Sequence, residues 1–161
     1  MHIPVALVVA ALTALSGDFD RVTAMITVAS GAHAGTFLVR NVDSPCEITG
    51  QNAPRPKHQF EVSVGGVTAK VDPNTLTQLM LIIPNADAHG AVHSFFTSIS
   101  FGSPGRGSAY ITETRPGEKA AGGGTVTLVP HGQDATVMLD VTSADGVSYR
   151  GTIQCSGVSH T

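Results

Sequence analysis

The stretch from Gly124 to Cys155 constrains the fold more than any other. Val137, Leu139 and Val141 alternate with Thr136, Met138, Asp140 and Thr142. After Ser143-Ala144-Asp145-Gly146 the alternation resumes. Val147, Tyr149, Gly151, Ile153 and Cys155 fall on one side, and Ser148, Arg150, Thr152 and Gln154 on the other. Period-two patterning on both sides of an Asp-Gly turn predicts two antiparallel strands, each with one face buried. Cys155 shares the apolar face, so its thiol is expected to point into the core.

The rest of the chain repeats this pattern. Met25 to Ala29 reads as a strand, Ser30 to Gly35 as a turn, and Thr36 to Val42 as a second strand with apolar residues on both faces. Together they form a hairpin that delivers the chain to Cys46. Phe60, Val62 and Val64 alternate with Glu61 and Ser63 and meet Gly65-Gly66; Val67, Ala69 and Val71 follow, which predicts a second hairpin. Leu76 to Ile83 is ambiguous. Leu76, Leu79, Met80 and Ile83 fit helical spacing, with Asp72 or Asn74 available as a cap, but Leu79 to Ile83 is also a plain buried-strand run stopped by Pro84. A strand is expected, because its surroundings have period two. From His93 to Phe101, the residues His93, Phe95, Thr97, Ile99 and Phe101 share one face and only Phe96 breaks the pattern. Ser108 to Thr114 and Thr125 to Val129 complete the set. About ten short strands at close spacing predict an all-β fold, an antiparallel β-sandwich or a partly open barrel. The 18 glycines, the absence of tryptophan and the scarcity of charge suit short strands joined by many turns.

At 161 residues the chain holds one domain and a short leader. Ile3 to Leu15 is an almost unbroken apolar run. Its length matches a signal-peptide core and falls short of the roughly 20 residues that a spanning helix needs. Only Met1 and His2 precede it, without Lys or Arg, so a translation start upstream is expected. Residues 1–24 are assigned to the leader, with cleavage near residues 16–18, and residues 25–161 to a single β-sandwich. A second small-x-small site, Ala32-His33-Ala34, is interrupted on its approach by Asp18, Asp20 and Arg21. The alternatives are a buried N-terminal helix and an uncleaved leader acting as a loose membrane anchor.

Two distant cysteines behind such a leader read as a disulfide formed outside the reducing cytosol. Cys46 and Cys155 can pair in only one way; the other reading is two buried free thiols. Closing so long a loop contributes on the order of 4 to 5 kcal/mol in the chain-entropy account. The expected location is therefore the exterior or the cell envelope. Net charge is −3 with no basic run, which argues against nucleic acid and against anionic membrane surfaces. Membrane contact is expected only through an uncleaved leader, and the folded part is expected to be monomeric.

No set of residues forms a convincing active site, so no enzyme activity and no cofactor are expected. Asp87, His89 and His93 come nearest to a metal cluster. Residues four apart on a strand share a face but sit roughly 13 Å apart, too far for one ion unless the chain turns at Gly90. Exposed loop histidines are the simpler reading. No Gly-x-Ser-x-Gly elbow occurs, Gly122-Gly123-Gly124 lacks the lysine of a phosphate loop, and Glu113 and Glu118 read as solvated. A metal-dependent or serine hydrolase therefore ranks last. Binding is better supported, because sandwiches carry function in the loops at their ends. The candidate ligand loops are Gln51 to Lys57, with Gln51, Arg55 and Lys57; Asn85 to His93, with Asp87, His89 and His93; and Gly102 to Gly107, with Arg106. Leu79 to Ile83 with Phe95, Phe96 and Phe101 could instead line an apolar pocket for acyl chains, against the plainer reading that they fill the interior.

Leu15-Ser16-Gly17, the segment from Ile26-Thr27-Val28 through Gly35 to Cys46, the run from Phe60 to Gly66 and Ala69, and Gly124 to Cys155 together resemble the mycobacterial surface lipoprotein-antigen family. The resemblance covers most of the chain and rests on hydrophobic alternation, two cysteines and a few glycines. It implies a β-rich cell-envelope domain without established catalysis, recognised by other proteins as an antigen. It also implies that Cys46 and Cys155 form the bridging pair. Asp18 stands where the family carries its lipidated cysteine, and a carboxylate cannot form the thioether. The expected role is thus surface interaction with other proteins or envelope components. The competing role is carriage of a lipid or small apolar ligand inside the sandwich.

Overall fold

A computed structural model describes residues 20–41, 43, 45–50, 59–65, 74–103, 106–115 and 117–161. Twelve strands and no helix occur among them: β1 (Val22–Val28), β2 (Gly35–Asn41), β3 (Glu47–Thr49), β4 (Gln59–Val64), β5 (Leu76–Ile83), β6 (Gly90–Val92), β7 (Phe95–Phe101), β8 (Ser108–Thr114), β9 (Gly123–His131), β10 (Asp134–Thr142), β11 (Ser148–Cys155) and β12 (Ser159–His160). They form two six-stranded sheets. The first runs β2-β1-β11-β10-β9-β6 and the second β12-β3-β4-β5-β7-β8. Every pairing is antiparallel except the short parallel contact of β12 with β3. The sheets pack as the expected β-sandwich and do not close into a barrel.

Alternation decides which side of each strand is buried. Val22, Ala24, Ile26 and Val28 of β1, and Ala135, Val137, Leu139 and Val141 of β10, face the second sheet. Phe60, Val62 and Val64 of β4 and Phe95, Thr97, Ile99 and Phe101 of β7 face the first. The first strand begins at Val22, ahead of the expected Met25, because Val22 and Ala24 extend the same buried register against β11. His93 is not on the buried face of β7. It precedes the strand and is exposed, at the corner where the chain crosses from β6 to β7. Thr114 pins that corner: its hydroxyl donates to the His93 carbonyl at 3.0 Å and accepts from the Phe95 amide at 3.3 Å.

The ambiguous run is a strand, and its helical look has a local cause. The β5–β7 register shifts between Leu76 and Gln78, so a bulge places both Leu76 and Leu79 inward at a spacing of three. The end of β4 lies against this bulge. A Cβ on Gly65 would sit 2.1 Å from the Thr77 carbonyl oxygen, and its φ of +130° also requires glycine. β4 pairs with β3 and β5. The expected strand at Val67, Ala69 and Val71, residues 1–19 of the expected leader with its cleavage region, and the Gln51 to Lys57 loop lie outside the described residues; the last three residues assigned to the leader, Val22 to Ala24, belong to β1.

Two features join the sheets. The disulfide Cys46–Cys155, with a Cα–Cα distance of 5.7 Å, ties the end of β11 to the residue before β3, and both cysteines are buried. Immediately beyond it the chain changes sheet, with the Ser159 amide donating to the Cys46 carbonyl at 2.9 Å. The second feature is Tyr149 of β11. Its hydroxyl donates to the Thr97 carbonyl of β7 and lies within hydrogen-bonding reach of the Thr112 hydroxyl of β8, both at 3.4 Å. Burial pushes the Tyr149 phenol pKa up, and its contacts with Thr112 and Thr97 offset part of that rise.

Candidate functional site

The residues nominated for an interior ligand pocket are mostly core. Leu79, Leu81, Ile83, Phe95 and Phe101 are buried between the sheets, while Phe96 pairs with Ile82 on the opposite face of the second sheet. Asp87, His89 and His93 are all exposed. Asn85 organises their loop, its side-chain oxygen accepting from the Asp87 amide at 3.1 Å and its carbonyl from the Ala88 amide at 3.1 Å. Among the described residues no three His, Cys, Asp or Glu side chains gather in a way that could hold a metal ion. Gln51, Arg55 and Lys57 lie outside the described residues.

The outer face of the first sheet carries a feature that no single strand reveals. Register aligns Leu38 of β2 with Met25 of β1, Met25 with Thr152 of β11, and Thr152 with Met138 of β10. Leu38, Met25 and Met138 are 54%, 56% and 45% exposed, among the most solvent-exposed large apolar side chains of the described chain. They stand in one row perpendicular to the strands. Polar rows flank it on both sides. One aligns Arg40, Thr23, Gln154 and Thr136; the other aligns Thr36, Thr27, Arg150 and Asp140. Thr27 and Thr36 join their hydroxyls at 2.9 Å, and Arg40 meets Asp20 at 3.4 Å.

The face is concave here. A groove of about 590 Å³ follows the row, bounded by Met25, Leu38, Met138, Thr152 and Arg150. Gly151 lines it with its backbone. On the inner face a Cβ at Gly151 would lie 2.3 Å from the Met25 carbonyl oxygen and 2.6 Å from Ile26 Cδ1, so only glycine lets β11 and β1 approach this closely. An apolar row rimmed by hydroxyls and by charges of both signs can take up a complementary apolar ridge and satisfy polar groups beside it.

A second, smaller pocket of about 200 Å³ lies at one end of the sandwich. The β1–β2 turn supplies His33, and the segment from Phe101 to Ser108 supplies Ser103, Arg106, Gly107 and Ser108. Arg106, a residue of a nominated ligand loop, is therefore brought to a cavity. His33 was not legible as a site residue; in the sequence it sits between two alanines in a turn. Its ring stacks on Phe101 at 4.3 Å with an interplanar angle of 2°, and meets Tyr110 edge-on at 6.1 Å.

The comparisons bring no relative to this arrangement: no protein-family model, no curated protein and no solved structure matches the chain.

Proposed function

We propose that this chain is a non-catalytic interaction domain, secreted or held at the cell envelope, that docks another protein on the outer face of the β2-β1-β11-β10-β9-β6 sheet. One observation carries the reading: Leu38, Met25 and Met138 are strongly exposed and aligned in a single row across strands that are otherwise polar on that side. Exposed apolar side chains that gather in a rimmed patch mark interaction surfaces, whereas scattered ones need no explanation. Methionine suits such a surface, because its unbranched side chain adapts to the opposing shape. Thr152 interrupts the row, and Thr23, Thr27, Arg150 and Asp140 border it. These groups favour a protein, with its own amides and charges, over a bare acyl chain, which could not satisfy them. The buried Cys46–Cys155 disulfide supports a location outside the reducing cytosol. The resemblance to the mycobacterial surface lipoprotein-antigen family supports the same setting.

The test places a photo-crosslinking residue at Met138, or at Ile111 on the other sheet as a control, in the intact chain expressed in its own cell. The expected result is one defined protein adduct from position 138 and none from position 111. Met25→Lys should abolish the adduct and weaken binding of the purified partner at least about tenfold, as for an interface anchor. Equal adducts from both positions would refute the reading. So would an acyl-chain mass retained by the native protein and lost in Met25→Lys.

A further inference from the structure

We propose that the pocket between the β1–β2 turn and the β7–β8 loop binds a small tetrahedral oxyanion, phosphate or the terminal group of a phosphate monoester, through His33 and Arg106. The site is separate from the groove on the sheet face and does not depend on it.

His33 is the first reason. It is only 9% exposed, although it occupies a turn. Phe101, Tyr110 and Phe37 hold its surroundings as one aromatic cluster, with Phe101 5.0 Å from Phe37 and 5.9 Å from Tyr110. Phenylalanine would stack on Phe101 as well and would bring no polar atom inside. Instead the imidazole Nδ1 is sealed without a hydrogen-bond partner. An unpaired buried N–H is rarer than an unpaired acceptor. A bare acceptor at the sealed Nδ1 assigns the ring hydrogen available to a ligand to Nε2. The ring lines the pocket, and with Nδ1 closed off Nε2 is the nitrogen left to donate to a ligand.

Arg106 is the second reason. Among the described residues no carboxylate lies within ion-pair distance of it. Its described neighbours are closely packed. The Arg106 amide donates to the Ser103 carbonyl at 3.1 Å, and a Cβ on Gly107 would lie 1.8 Å from the Phe101 carbonyl oxygen. Only glycine lets the chain approach the end of β7 so closely, and Arg106 beside it lines the pocket. Ser103 and Ser108 add hydroxyl donors, and among the described residues no Asp or Glu lines the cavity. That is notable in a chain with 12 acidic and 9 basic residues. A guanidinium, an imidazole N–H and two hydroxyls on different walls suit the several acceptor oxygens of a tetrahedral oxyanion.

The experiment titrates the full-length chain with inorganic phosphate, and separately with glycerol 3-phosphate. Binding is followed by calorimetry and by the ¹⁵N resonances of the His33 ring. Wild type should bind phosphate, with the Nε2 resonance moving on titration. Arg106→Gln, which keeps the length and drops the charge, should weaken binding by about tenfold, the loss of one charge-assisted contact. His33→Phe keeps the stack and should do the same. Tighter binding of the monoester assigns the oxyanion to a larger molecule, and equal binding assigns the free ion; both uphold the site. No binding at millimolar phosphate, or binding that both variants retain, overturns it. Arg106 is exposed on a loop, so its variant keeps the test decisive even where His33→Phe fails to fold.

Discussion

Removing the disulfide tests the architecture most directly. Cys46 and Cys155 are 109 residues apart in sequence. In the chain-entropy account a loop of that length costs the cross-linked unfolded chain about 16 cal/mol/K, or about 4.8 kcal/mol at room temperature. Domains of this kind hold only about 5 to 15 kcal/mol in total, so the bridge supplies a large share. Reduction, and independently the double variant Cys46→Ala/Cys155→Ala, should lower stability by about 4 to 5 kcal/mol. That corresponds to about 2 M in the urea midpoint for a slope near 2 kcal/mol/M, or about 10 to 20 °C in Tm. The comparison of the two separates causes, because reduction keeps both buried sulfurs while the alanines remove them and leave a small cavity. Equilibrium urea unfolding followed by far-ultraviolet circular dichroism is the assay. The urea slope should rise when the bridge is gone, since the released unfolded chain exposes more surface. A loss under about 1 kcal/mol with an unchanged slope would refute the reasoning, because the staple would then not be restraining the unfolded ensemble.

Other expectations follow from single residues. Tyr149 has a raised pKa when folded, so it stays neutral where the unfolded phenol has begun to ionise. Its contribution is fully present below pH about 10 and is lost as pH rises through the folded value; alkaline unfolding should steepen there, and Tyr149→Phe should flatten that limb while costing about 1 kcal/mol at neutral pH through the lost hydroxyl contacts. Gly151→Ala should destabilise by about 1 to 3 kcal/mol, since its methyl would press on Met25 and Ile26, and thermal denaturation reads this directly. Exposed Asp87 and His89 should each tolerate alanine within about 0.5 kcal/mol by the same measurement.

What could be read from the sequence was local. The closing hairpin was legible because both partners lie within one alternating stretch and a single turn sets their register, from Ala135 against Cys155 to Val141 against Tyr149. The identity of β5 was legible from its neighbours, but the bulge beside Thr77 was not; it appeared only as a spacing that imitates a helix. The apolar row was hidden for a different reason. Leu38, Met25, Thr152 and Met138 come from four strands, and their alignment needs three cross-strand registers at once. The available signal was Met138, an apolar residue on the outward side of an otherwise Thr and Asp face. His33 gave less, because its burial comes from the distant Phe101 and Tyr110.

The pairing of β1 with β11 has a temporal consequence. These strands lie side by side along Val22 to Val28, yet nearly the whole described chain separates them. As the polypeptide emerges into the compartment where it folds, β1 and β2 can pair only with each other, and the other flank of β1 stays unsatisfied until the last long hairpin arrives. Nonlocal pairing of this kind is paid for in loop-closure entropy before it returns any contact, which places such folds at the slow end, milliseconds to seconds. Completion of the molecule is thus a late event, and a nascent chain stalled before Tyr149 would present a two-stranded ribbon whose β1 flank, covered in the finished sheet, is still open to whatever strand it meets first.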